Sequence, residues 1–296
     1  MKRKLVKQAG QALTLTLPIT WIRNHDLSAG DEVDVVVDDK TLFIKTDNSL
    51  SSTSLDLDLT GLPVSSRHWY INAAYAKGVD EINVSCESDY YPDLSSNIGF
   101  AVVSQTKSGL VIKDISGGSG SDLDQVFKQV FQMIIRFYNQ AIVAIYSKDK
   151  SSLSFIMNQE DGINKFILFL QRSIMKQSYS NASLGKVLFS FSYSLEKVGD
   201  EIFRLWRTDI QKKISKSGEL KSILDDVAKG LELSFGLYYH FSSKDHQKLF
   251  TLRNSIRKKI SSLKRVNSST RDFLRHVQNI IEDVNDLSHL SLMKSN

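Results

Sequence analysis

Hydrophobic and polar positions divide the 296-residue chain into three sections. In residues 1–46 the stretch QALTLTLP alternates strictly, which puts Leu13, Leu15 and Leu17 on one face of a strand. Pro18 then opens a short helical turn, ITWIRNHDL, and SAGDEVDVVVDDKTLFIKT predicts two strands joined by the turn Asp38-Asp39-Lys40. Residues 47–54, DNSLSSTS, are polar and linker-like. Residues 64–77 read as a helix stopped by Gly78, whose missing side chain permits the left-handed exit. EINVSC follows as a strand, and FAVVSQTKSGLVIKDI as a hairpin around Ser108-Gly109. This small α/β module ends at the Gly/Ser stretch SGGSGS, residues 116–121.

From Asp122 the period becomes helical. Leu184, Val187, Leu188, Phe191, Leu195, Val198, Ile202 and Leu205 form one continuous apolar stripe. Spacing predicts six helices, over 122–146, 150–177, 182–213, 217–242, 245–265 and 268–293. The fold class expected is therefore α+β and multidomain: a β domain over 1–48, an α/β module over 55–115 and a six-helix bundle over 122–296. The helical section also repeats. SKDKSSLSFIMN (147–158) aligns with SKDHQKLFTLRN (243–254), and LFSFSYSLEKVGD with LRHVQNIIEDVND, so a three-helix unit is used twice.

The repeat directs attention to paired carboxylates. Glu196 and Asp200 lie one turn apart off the apolar stripe, and Glu282 and Asp286 occupy the matching places on the last helix. They are expected to be equally solvated, which argues against an acid/base pair, since such pairs need unequal environments. Two readings stay open: a solvated helix face, or hard oxygen ligands for a di- or trivalent cation such as iron or zinc, helped by Glu160 and Asp161 on the preceding helix. Like charges one turn apart repel by a few tenths of a kcal/mol unless a cation intervenes. In the second repeat, Arg253, Arg257, Lys258 and Lys259 stand where such helper acids would be wanted, so at most one good metal site is expected, near the first repeat.

Net charge is +5, unevenly spread. Residues 1–25 carry Lys2, Arg3, Lys4, Lys7 and Arg23 with no acid, and residues 244–276 carry ten Lys/Arg against Asp245 and Asp272. Both segments invite anionic partners. One cysteine, Cys86, excludes an intramolecular disulfide, and the basic start has no apolar run behind it; a reducing, cytoplasmic location is expected. The most apolar run, VFQMIIRFYNQAIVAIY, is broken by Arg136, Asn139 and Gln140, so no membrane insertion is expected. The six histidines show no paired metal-ligand spacing, and neither a nucleophile–base arrangement nor a phosphate-cradling glycine loop appears, so an enzyme is not expected.

The repeated three-helix unit bearing LEKVGDEI resembles the PhoU family of phosphate-uptake regulators. That resemblance covers residues 122–296 and implies a surface metal cluster ligated by Glu196, Asp200, Glu282 and Asp286, with Glu160 and Asp161 as helpers. Against the family pattern, Asn164 stands where an acid is usual. The front, ALTLTLPITWIRNHDLSAGDEVDVVVDDKTLFI, resembles the SpoVT/AbrB swapped-hairpin domain, which implies an intertwined homodimer and DNA contact through Arg3, Lys4, Lys7 and Arg23. The combination resembles archaeal PhoU-like regulators and implies a transcriptional regulator of phosphate uptake. The alternative is a signalling adaptor that docks on a phosphate transporter ATPase or a kinase, its N-terminal domain serving only dimerisation.

Overall fold

The computed structural model describes residues 2–7, 13–38, 41–45, 53–116, 122–147, 153–177, 182–212, 214, 216–264 and 266–295. The chain divides into two compact units, 1–52 and 53–296.

In the first unit, β1 (Val6–Lys7) pairs antiparallel with β2 (Leu13–Thr14), and the Thr14 hydroxyl donates to the Val6 carbonyl at 3.1 Å. The expected helical turn is α1 (Ile19–Asn24), entered through Pro18, whose fixed φ of −62° suits the turn into a helix. The loop after it is tight: Gly30 sits at φ 104°, open to glycine alone at little cost, and the Asp31 carboxylate accepts the Ser28 N–H at 2.7 Å. β3 (Asp34–Asp38) and β4 (Thr41–Lys45) then pair antiparallel, with Asp38 opposite Thr41. The expected turn residues Asp39 and Lys40 lie outside the described residues, as do Gln11 and Ala12 of the first predicted strand and all but Thr53 and Ser54 of the linker-like stretch.

Among the side chains of this unit whose exposure the structure describes, none is buried. Leu5, Val6, Leu13, Leu15, Ile19, Val35, Val37 and Leu42 are between 42% and 69% exposed. The alternation that predicts a buried face at Leu13 and Leu15 thus meets no cover among the described residues of its own unit.

The second unit begins with a four-stranded sheet of order β5-β6-β8-β7. β5 (Ser54–Asp58) runs parallel to β6 (Glu81–Ser85), and α2 (Val64–Ala76) makes the crossover between them. β7 (Phe100–Thr106) and β8 (Gly109–Asp114) form the expected hairpin. The linker reading is corrected at its end: Ser54 already belongs to β5, and Thr53 is tied to Asp80, whose carboxylate accepts its N–H at 3.1 Å and its hydroxyl at 3.2 Å. α2 stops where expected, with Gly78 at φ 93°. Leu59, Ile71, Tyr75, Ile82, Val84, Phe100, Leu110 and Ile112 form the core beneath this sheet.

Six helices follow: α3 (Leu123–Tyr146), α4 (Leu153–Lys176), α5 (Ala182–Gln211), α6 (Gly218–Tyr239), α7 (Ser243–Ser262) and α8 (Ser268–Ser295). Asp122 caps α3 and Ser217 and Ser242 cap α6 and α7, each accepting a first-turn N–H that would otherwise lack a partner. The predicted stripe on α5 is buried from Val187 to Leu205, with Leu184 only partly covered. α3, α4 and α5 pack on one another, as do α6, α7 and α8, and the sets join chiefly where α5 lies along α8. A repeat that cannot bury its own apolar face gains one from its copy.

The sheet is fastened to the helices by one buried side chain. Arg172 of α4 donates to the carbonyls of Tyr75 (3.2 Å) and Val79 (2.6 Å) and to the carboxylates of Asp80 (3.1 Å) and Asp114 (2.7 Å). Its guanidinium also lies 4.9 Å from the ring centres of both Tyr75 and Phe100. Lys176, one turn on, pairs with Asp80 as well.

Candidate functional site

Three places hold the residues that the sequence singles out. The first is the N-terminal strand region. Arg3, Lys4, Lys7 and Arg23 are all exposed, and none makes an ion pair among the described residues. Their charge is therefore free for an external anion, and it lies on the same small unit as the uncovered apolar side chains.

The second is the α4–α5 face. Glu160 is half-buried and accepts from Asn164 at 2.7 Å. Burial raises its pKa, Asn164 opposes this, and the nearby charges of Asp161 and Asp200 push it further up. Glu196 is raised by burial and by Asp200, against a 3.4 Å hydrogen bond from Gln171. Expected to be equally solvated, Glu196 and Asp200 are both half-buried, Glu196 beside Gln171 of α4 and Asp200 beside Arg204. Asp200 already has a cation, Arg204, at 2.8 Å.

The third is the matching α7–α8 face, where the acids are answered from within. Glu282 is gripped by Arg253 and lies 3.6 Å from Arg257, so guanidinium groups stand where the first repeat has Glu160 and Asp161. Asp286 is exposed on the far side, beside His289 in a groove with Tyr193. The six carboxylates expected to ligate metal thus fall into separate groups. Among the described residues no three His, Cys, Asp or Glu side chains converge to hold an ion.

Between the second and third places lies a polar cavity of about 450 Å³, lined by Lys197, Asp200, Glu201, Arg204, Glu282 and Asp283 among others. Its anchor is Glu201, which sequence reasoning missed. Glu201 lies 2.8 Å from Nδ1 of His276, accepts from Arg204 at 2.6 Å and from Asn279 at 3.2 Å, and is 8% exposed. Burial raises its pKa, but the hydrogen bonds from His276, Arg204 and Asn279 outweigh that and hold it low. The signal was there: Glu201 follows Val198 by three residues and precedes Leu205 by four, on the flank of the apolar stripe. Asp283 is the opposite case. Burial, with Glu201, Asp286 and Glu282 nearby, pushes it up to about 6 despite Lys197.

A scan against family models matches residues 6–49 to the family described as antidote-toxin recognition MazE, bacterial antitoxin. The N-terminal unit is a MazE/AbrB-like domain. The match ends before the second unit, so it bears on the uncovered apolar face and on Lys7 and Arg23, with Arg3 and Lys4 just ahead of it, and leaves the helices of the second unit unassigned. No curated protein and no solved structure matches the chain. No described helix is long and apolar enough to cross a membrane.

Proposed function

We propose that the protein is a DNA-binding regulator that acts as a homodimer through its MazE/AbrB-like domain, with the helices of the second unit serving as its sensing part. One observation carries the reading: a unit in which eight apolar residues lie uncovered and, among the described residues, four cations are unpaired. A second copy is the partner that covers such a face, since burying one Val or Leu contributes roughly 1.5–3 kcal/mol. Dimerisation also doubles the cations offered to one duplex, and phosphate contacts add to affinity through counterion release. The experiment retains fragmented genomic DNA on the full-length protein at physiological salt and sequences it. A few enriched sites, lost when Arg3, Lys4, Lys7 and Arg23 are all replaced by glutamine, support this reading. Retention unchanged by those substitutions would overturn it.

Control of phosphate uptake is the finer reading. It rests on the resemblance of LEKVGDEI and its repeat, together with the paired packing of α3–α5 and α6–α8. The alternative, an adaptor docking on a transporter or kinase, rests on that same resemblance and would show as a dimer that retains no DNA. Of the metal reading, only the α4–α5 face keeps its support, since Arg253 and Arg257 answer Glu282. A hard cation there would offset the repulsion that raises Glu160 and Glu196. Elemental analysis of untagged protein prepared without chelator should find iron, zinc or another divalent ion, removed by Glu196→Ala/Asp200→Ala. Metal-free protein, equally stable in the variant, would return these carboxylates to a plain polar surface.

A further inference from the structure

A cavity of about 570 Å³ lies where the end of α7, Leu263 and Val266 beyond it, and the first turns of α8 meet. That is within the usual range of small-molecule sites, roughly 300–1,000 Å³. Its floor is apolar. Leu274 is buried in the bundle core, whereas Ile260, Leu263 and Val266 pack against that core yet stay partly uncovered. Its rim is cationic. Arg271 and Arg275 stand one turn apart on one face of α8, both exposed, and neither makes an ion pair among the described residues.

This placement is unfavourable for the protein alone. Like charges four residues apart on a helix repel, and cations near the start of a helix oppose its dipole. The acids close by are taken: Asp272, on which Arg275 acts, is paired with Lys212, and Glu201 is held by Arg204, His276 and Asn279. An anion from outside would relieve both arginines, and guanidinium forks suit a carboxylate or phosphate head. A bare inorganic anion would leave the floor unused. A membrane needs apolar groups that protrude, whereas these are recessed. A nucleic-acid backbone would meet the rim and not the floor.

We infer that this cavity binds a small organic acid: a hydrocarbon body against Ile260, Leu263 and Val266, with an anionic head between Arg271 and Arg275. The site is independent of whether the N-terminal unit binds DNA, because it lies wholly within the second unit.

Octanoate is the probe, titrated calorimetrically into the full-length protein, with acetate and inorganic phosphate as heads without a body. Octanoate should bind saturably at one site per chain, and acetate and phosphate at least tenfold more weakly. Charge-assisted hydrogen bonds contribute enough that Arg271→Gln/Arg275→Gln should weaken octanoate by tenfold or more. Because the two arginines are exposed, unpaired and repel one another, the double variant should melt at or slightly above the wild-type temperature. Arg271→Lys/Arg275→Lys, which keeps the charge and removes the forks, should fall between. Absence of saturable octanoate binding, or binding that the glutamine variant retains, would overturn the inference. So would acetate binding as tightly as octanoate, since the floor would then contribute nothing.

Discussion

Replacing Arg172 by methionine keeps an apolar stem and removes the charged fork that lies over Tyr75 and Phe100 and joins sheet to helices. Asp114, whose side chain is only 9% exposed, then loses its closest cation, and the Val79 carbonyl loses a 2.6 Å hydrogen bond. Removing one partner of a buried ion pair costs about 3–5 kcal/mol, because the other charge is left behind. Lys176 remains, paired with Asp80 and 3.9 Å from Asp114, which places the loss near the lower end, about 3 kcal/mol. Lys176 is itself 36% exposed, so Lys176→Met should cost no more than about 1 kcal/mol. The assay is urea unfolding followed by circular dichroism, with hydrogen exchange at β6 and β8 to localise the loss. Asp114→Asn in the Arg172→Met background should recover part of it, as coupled neighbours do.

The same pair carries a pH signature. Burial would raise Asp80, yet hydrogen bonds from Lys176 and Thr53 leave it below the usual carboxylate range. Asp114 is likewise raised by burial and lowered more by Ser116 and Arg172. Acids depressed on folding stabilise above their unfolded pKa, near 4, and that contribution fades as pH falls through the folded values. The gap between wild type and Arg172→Met should therefore be full at pH 5–7 and shrink below about pH 4. A loss under about 1 kcal/mol, or a gap that does not narrow in acid, would refute the idea that Arg172 fastens the sheet through these carboxylates.

Val37→Asp, placed on the uncovered face of the MazE/AbrB-like domain, should convert dimer to monomer in sedimentation while leaving the helical circular dichroism of the second unit unchanged. Asp283, pushed up to about 6, is an acid the fold prefers neutral, so it costs stability once ionised and that cost vanishes as pH falls toward 4. Asp283→Asn should accordingly stabilise by about 1 kcal/mol at pH 7–8 in thermal melts, discounted for its partial exposure, and have no effect near pH 4.

Much of the architecture is legible in the pattern of the chain. The six helices α3 to α8 fall within a few residues of the predicted spans, because an apolar stripe of period 3.6 over five or more turns has no competing reading. β5 is different: LDLD is short, follows a serine-rich stretch, and is made a strand by a parallel partner 27 residues later, which local periodicity cannot register. Arg172 reads as one more charge on α4, since its partners lie 58 to 97 residues away. The carboxylates on α5 and α8 were visible as pairs, but their different fates were only half visible. Basic residues on α7 announced that Glu282 would be answered by arginine, whereas the sheltering of Glu196 by Gln171 depends on how α4 rolls against α5. In the first unit the alternation of Leu13 and Leu15 is plain, but among the described residues of that unit nothing covers it.

The fastening of Thr53 has a mechanical consequence. Thr53 opens the second unit, and Asp80 grips it three ways: its carboxylate takes the Thr53 N–H and hydroxyl, and its own N–H reaches the Thr53 carbonyl at 2.8 Å. That same carboxylate holds Arg172 and Lys176 of α4. A pull arriving along the chain from the N-terminal unit therefore meets α4 after a single side chain, before any strand of the sheet has to slide. Within the second unit that path runs from Thr53 through Asp80 to the helix that carries Glu160 and Asp161.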